Sequence, residues 1–228
     1  MESEREITMT PAQLCQLAGE YRGTVPDGGL MFEQKIDGWR ALWLRDHRGV
    51  PGLWTRNGHP IGGTGHIAWH LAQIEREAGE ALVFDGEFQV EGTLAATKTW
   101  AETGWKRGGE AGELFLFDCV TLAEWRAGGS ERPLVDRKAR LVELAQAARG
   151  DGWEWRPGSH GRDDGACPVS VLPDGWAFDP ADVEREARRV WAAGGEGLML
   201  KDPSAPYRRN RNGHWLKVKQ GQRWLLAA

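Results

Sequence analysis

The chain has 228 residues, 29 Lys and Arg against 33 Asp and Glu, and 40% hydrophobic residues; a chain of this length hides roughly 70% of its unfolded surface, so it needs neither disulfides nor a structural metal. Three cysteines, Cys15, Cys119 and Cys167, with no Cys-x-x-Cys spacing argue against a disulfide framework or a zinc site. A formal charge of −4 disfavours a protein that merely coats nucleic acid; a charged N-terminus and no apolar run of about 18 residues argue against a signal peptide or membrane span, so a cytoplasmic location is expected. Thirteen scattered tryptophans, several in apolar contexts, read mostly as core or interface residues.

The elements follow in chain order. Thr10-Pro11 reads as an N-cap followed by proline at the first helical position, with Leu14, Leu17, Ala18 and Tyr21 on one face and Gly23 as the stop. Strand character follows at 30–36, 39–45 and 52–56. Ile67, Leu71, Ile74 and Ala78 form a second helical stripe, before strands at 81–90 and 113–120. A third helix, Leu134–Ala148, carries Leu141, Leu144 and Ala145 and ends at Gly150. Residues 150–175, rich in Gly, Asp and Trp, read mainly as loop, with a short strand at 168–172. Asp179-Pro180 opens the last helix, with Val183, Ala187, Val190 and Trp191 inward and Gly194-Gly195 ending it. Strands at 197–201 and 214–218 complete the series. Helices and strands do not alternate regularly, which disfavours a doubly wound parallel sheet. The fold class expected is α+β, antiparallel sheets with flanking helices.

The first segment that carries chemistry is Glu33-Gln34-Lys35-Ile36-Asp37-Gly38-Trp39-Arg40. On an extended backbone Lys35 and Asp37 project from one face, Gly38 permits a turn, and Arg40 starts the next strand. A lysine, an acid and an arginine converging at a strand end suit a phosphate-handling site. At residue frequencies of ~5–7% the four fixed positions of Lys-x-Asp-Gly-x-Arg arise by chance in roughly one chain of this length in several hundred. Further segments follow in order: Thr55-Arg56-Asn57-Gly58, Phe84-Asp85-Gly86-Glu87-Phe88, Leu114-Phe115-Leu116-Phe117-Asp118, Glu196-Gly197-Leu198-Met199-Leu200-Lys201 and Trp215-Leu216-Lys217-Val218-Lys219. Asp85 and Glu87 share a strand face, as do Lys217 and Lys219. Between 201 and 223 seven cationic residues face Asp202 alone, and Arg208-Arg209-Asn210-Arg211 offers phosphate contacts. The six histidines show no ligand spacing; His66 and His70, one turn apart, read as helix-surface residues.

This ordered set resembles the covalent nucleotidyltransferases (DNA ligases, RNA ligases and mRNA capping enzymes), and most closely the adenylyltransferase domain of ATP-dependent DNA ligases. The resemblance covers about residues 30–220 and implies an ATP-grasp-like domain of two antiparallel sheets flanked by helices; the helical reading of the N-terminal residues makes 1–29 a helical segment before it. It implies that the Lys35 amine attacks the α-phosphate of ATP to give lysyl–AMP. Arg40, Lys217, Lys219 and a divalent ion would lower its basicity and stabilise phosphate charge. By resemblance Arg40 contacts the ribose or a nick-end phosphate, Glu87 the ribose or a metal, and Lys201 the phosphate. Phe117 would stack on adenine, with Phe115 as its competitor, and Glu33 would accept from adenine N6. Alternation alone points Lys201 away from Glu196, toward the surface. Glu196, Glu87 and Asp37 are the expected ligands of Mg²⁺, with Mn²⁺ as a substitute.

The implied partner is nicked double-stranded DNA, in repair, replication or recombination, with the protein acting as a monomer. Most members carry an oligonucleotide-binding-fold domain after the last motif; with nine residues beyond Lys219, the tail at 221–228 is expected to lack it, leaving it absent or supplied by a partner. An RNA ligase would share every motif, a capping guanylyltransferase would use GTP, and a nucleotide or DNA-end binder without turnover is the alternative of another class.

Overall fold

The computed structural model describes residues 14–103, 109–149 and 167–222. Two five-stranded sheets face each other. The first has the order β1-β12-β10-β2-β9, built from β1 (Leu17–Glu20), β2 (Leu30–Gln34), β9 (Asp174–Ala177), β10 (Gly197–Lys201) and β12 (Arg211–Lys219). The second has the order β4-β3-β5-β6-β8, built from β3 (Trp39–Arg45), β4 (Pro51–Thr55), β5 (Leu82–Gln89), β6 (Glu113–Thr121) and β8 (Val169–Val171). Pairing is antiparallel except for β1 with β12 and β6 with β8. A small ribbon joins β7 (Gly129–Ser130) to β11 (Tyr207–Arg208). The α+β expectation is met.

Three apolar clusters explain the layering. Helices α1 (Gly65–Ala78) and α4 (Leu134–Ala147) bury Ile67, Leu71, Ile74, Leu141 and Ala145 against Trp43, Phe84, Phe88 and Leu116 on the outer face of the second sheet. Helix α5 (Pro180–Ala192) buries Val183, Ala187 and Val190 against Leu198, Leu200 and Val218 on the outer face of the first. Between the sheets Leu42, Leu44, Val83, Phe117 and Val120 meet Trp215 and Tyr207. Because β3 is covered on both faces, its pattern is a continuous apolar run rather than an alternation. The N-cap of α5 is as expected: the Asp179 carboxylate accepts from the Asp182 N–H at 2.8 Å, and Pro180 opens the helix.

Some expectations fail. Thr10 and Pro11 lie outside the described residues, but the helix expected to follow them does not continue through Leu17–Glu20. Those residues form β1, with Gly19 opposite Leu216 and Glu20 opposite Lys217. The supposed apolar stripe is split: Leu14 packs between the sheets, whereas Tyr21 packs under α5. Of the expected helical segment 1–29, residues 1–13 lie outside the described residues, and Leu17–Glu20 are extended, β1 completing the first sheet. Of the expected loop 150–175, residues 150–166 lie outside the described residues, and its end supplies β9, paired with β2. Helices α2 (Leu94–Thr103) and α3 (Leu122–Arg126) were not expected. The first buries only Thr97 and leaves no apolar stripe to read; the second carries a Thr121/Glu124 capping box legible as Thr-x-x-Glu.

Candidate active site

The strand end of β2 delivers Lys35 to the mouth of the space between the sheets. The Lys35 backbone N–H donates to the Gly197 carbonyl at 2.8 Å, docking the chain against the start of β10. Its Nζ then reaches Glu196 Oε2 at 2.5 Å, while Lys219 Nζ takes Oε1 of the same carboxylate at 2.6 Å. Burial pushes the Glu196 carboxyl up, but hydrogen bonds from Lys219 and Lys35 outweigh it and hold it below its ordinary value. Two glycines make this approach feasible. A Cβ on Gly38 would lie 2.4 Å from the Phe88 carbonyl oxygen, and one on Gly197, at φ +147°, 2.0 Å from that of Val218.

The register of β10 orders the floor of the site. Met199 lies opposite Glu33 and Lys217, and Lys201 opposite Met31 and Trp215, so these residues share the face turned to the second sheet. Lys217 lies 3.8 Å from Glu20 of β1. Lys201 is not at the surface: it is 2% exposed, 2.6 Å from Glu33 Oε2 and 3.4 Å from the Phe117 carbonyl. Glu196 precedes the strand, so alternation counted from it does not apply. Burial pushes the Lys201 ammonium below its ordinary value despite Glu33. Glu33, also 2% exposed, binds Lys138 of α4 through its other oxygen. It is the centre of a buried ion triad and not the free acceptor expected for a base.

The opposite wall comes from the second sheet. Arg40 and Glu87 are cross-strand neighbours, and Asp85 grips Arg40 through both carboxylate oxygens. The Tyr207 hydroxyl donates to Asp85 Oδ2 at 2.7 Å, and Arg40 donates to the Gln16 carbonyl at 3.2 Å. The guanidinium lies 4.6 Å from the Phe117 ring centroid and 5.2 Å from that of Trp215. Phe117 is 7% exposed, with the Lys201 ammonium 4.4 Å from its centroid; Phe115 is half-buried in the same cluster. Burial pushes Glu87 up to about 7, against the pull of Arg40 and Lys35 and with the push of Asp85 and Glu196. These couplings place both walls and Lys35 in one electrostatic site. Around Lys35 the nearest charge is a carboxylate, while of the cations expected beside it Arg40 is paired with Asp85 and Lys219 shares Glu196.

Residues 12–219 match the family described as the ATP dependent DNA ligase domain. The chain belongs to that family. A stretch of 57 residues, 25% of this chain and 9% of the relative, is 47% identical to a DNA ligase of Cenarchaeum symbiosum (strain A). Another of 40 residues, 17% of this chain and 4% of the relative, is 52% identical to DNA ligase 4 of Coccidioides immitis (strain RS). The bacteriophage T7 ATP-dependent DNA ligase in complex with ATP superposes with a TM-score of 0.67 at 16% identity, over 92% of this chain and 69% of that one. Chlorella virus DNA ligase-adenylate does so with 0.64 at 21% identity, over 90% and 67%. The matched stretches span only 4% and 9% of the curated relatives, whereas the solved structures share the ligase-domain fold over nearly all of this chain.

The expected metal set of this ligase domain is not assembled. Among the described residues no three His, Cys, Asp or Glu side chains converge to hold a metal ion. Asp37 is exposed in the bend it forms with Gly38 and accepts the Leu94 N–H at the start of α2 at 3.3 Å. Both oxygens of Glu196 are taken by lysines, and Glu87 is buried deeper. Asp37, Glu87 and Glu196 therefore do not fit a protein-only cage. The Thr55-Arg56-Asn57-Gly58 segment forms a tight turn, with Thr55 Oγ1 accepting from the Asn57 and His59 N–H groups at 3.3 and 3.2 Å. The basic segment is less free than its composition implied: Arg208 is 2.6 Å from Glu131, Arg211 donates to the Ala18 carbonyl, and Arg209 lies 4.3 Å over the Trp125 ring. Arg223 lies outside the described residues.

Sequence reasoning missed Tyr207 and the pair Arg137–Lys138. The pair had a signal, since both fall on the buried stripe of α4 with Leu134, Leu141 and Ala145. Arg137 binds Asp118 through two 2.8 Å contacts, and Lys138 turns to Glu33.

Proposed function

We propose that this chain is the catalytic domain of an ATP-dependent DNA ligase, with Lys35 the residue that becomes adenylylated. The observation that carries the reading is the clasp of Lys35 and Lys219 on Glu196, brought from three separated segments to one cleft mouth. In the first step the Lys35 nitrogen attacks the α-phosphorus of ATP. The P–N bond forms, the bond to the bridging oxygen breaks, and pyrophosphate leaves with the electron pair. Glu196 is placed to take one proton from the Lys35 ammonium, the second leaves with pyrophosphate as the P–N bond forms, and Lys219 and Lys217 are placed to hold phosphate oxygens as they enter. Charge on the reacting phosphate then exchanges for charge on Glu196, so little net charge is buried or exposed. AMP next passes to the 5′-phosphate of a nick, and the 3′-hydroxyl displaces it to seal the strand.

Within this reading Arg40, held rigid by Asp85, meets the nucleotide ribose or nick phosphate, Glu87 the ribose hydroxyls, and Phe117 the adenine ring. Lys201 acts through Glu33 and Phe117, not on phosphate directly. Mg²⁺, with Mn²⁺ as its substitute, would be held largely by substrate phosphates, and no step above is routed through it. The setting proposed is a cytoplasmic monomer acting on nicked duplex DNA in repair, replication or recombination; among the described residues no helix is long and apolar enough to cross a membrane. The test is sealing of a nicked duplex with labelled ATP or GTP, on DNA and on RNA strands. Sealing of DNA with ATP supports the reading. Sealing only of RNA, or use of GTP alone, would replace it.

A further inference from the structure

The triad of Lys138, Glu33 and Lys201 sits between the two layers, and it joins groups from both. Lys138 is 4% exposed on α4, a helix whose apolar residues pack on the second sheet, yet its Nζ binds Glu33 of β2 in the first. Lys201 of β10 closes the other side of Glu33 at 2.6 Å. It also reaches back to β6, 3.4 Å from the Phe117 carbonyl and 4.4 Å from its ring centroid. Both oxygens of Glu33 are thus fixed, and Lys35 lies two residues further along the same strand end.

Stability alone does not account for such an arrangement. Three ionised groups, each under 5% exposed, lose hydration that their mutual attraction only partly restores, and apolar replacements of buried ion pairs are often neutral or stabilising. What the triad supplies is a fixed distance and direction between α4, β2 and β6. Misplacement of a nucleophile by about 1 Å costs on the order of 10²-fold in rate.

We propose that Lys138 is a positioning residue that acts through Glu33 to set where the end of β2 presents Lys35 to the nucleotide. The inference rests on the proposed adenylylation of Lys35. Removing Lys138 leaves Glu33 and Lys201 as a balanced pair, so the fold survives. The experiment compares wild type, Lys138→Met and Lys138→Arg in single-turnover AMP transfer from ATP across an ATP titration, with thermal melting in parallel. The expected result is a fall of at least tenfold in the rate at saturating ATP for Lys138→Met. The half-saturating ATP concentration should stay within about threefold, the melting temperature should be unchanged or raised, and Lys138→Arg should recover most of the rate. If Lys138→Met does not fold, Lys138→Gln, which keeps a donor of shorter reach, is measured in its place with the same rate loss expected. An unchanged saturating rate, or a loss that follows melting temperature and is not recovered by arginine, overturns the proposal. Absence of any adduct on the wild-type protein would instead overturn the functional reading on which it rests.

Discussion

Burial holds the Glu87 carboxyl at about 7, against its ordinary 4.5, even though Arg40 and Lys35 draw it down. The folded protein therefore binds this proton more tightly than the unfolded chain. Above pH 7 the carboxylate is ionised in both states and the cost of burying it is fully expressed; that cost fades as pH falls toward 4.5 and is gone below it. Glu87→Gln should accordingly stabilise the fold most above pH 7, by up to about 3 kcal/mol and less to the extent that water reaches the group, with no gain below pH 4.5. Urea unfolding of both proteins from pH 4 to 8 measures this; a difference that does not vary with pH would contradict it. Tyr207 behaves differently. Burial, then Asp85, push its hydroxyl well above the ordinary value, so it remains a donor throughout that range. Tyr207→Phe leaves a buried carboxylate one donor short and should cost about 1–3 kcal/mol, independent of pH over the same interval.

At the scale of elements, legibility followed how local the determining contacts were. Helix α5 was readable because its cap, its proline and its stripe of Val183, Ala187 and Val190 all lie within one segment. Asp179→Ala should therefore cost about 1 kcal/mol, seen as a lower urea midpoint with an unchanged slope. The first strand was not readable. Leu14, Leu17, Ala18 and Tyr21 have helical spacing, and the partner that makes Leu17–Glu20 extended lies in β12, nearly the whole chain away in sequence. Among the site residues, Lys35, Glu196 and Lys219 were legible as types and places because each motif sets its own strand end. Their joining on one carboxylate, the enclosure of Glu33 by Lys138 and Lys201, and the departure of Asp37 toward α2 depend on contacts between elements that alternation along one strand does not encode.

At the scale of the whole molecule, two sheets from distant parts of the chain supply the two walls of one site. The first carries Lys35, Lys201, Lys217 and Lys219; the second carries Arg40, Glu87 and Phe117. Glycines at Gly38 and Gly197 let the backbones close where the walls meet, and Glu196 holds two of the lysines. Lys35 is the group proposed to take AMP. The most direct test is intact-mass and peptide analysis of the protein after incubation with ATP and Mg²⁺, beside Lys35→Ala. One added AMP is expected on the peptide containing Lys35, reversed by pyrophosphate, and none on the variant, which melts within a few degrees of wild type. An adduct that persists on another lysine of the variant, or no adduct on the wild-type protein, would contradict that assignment.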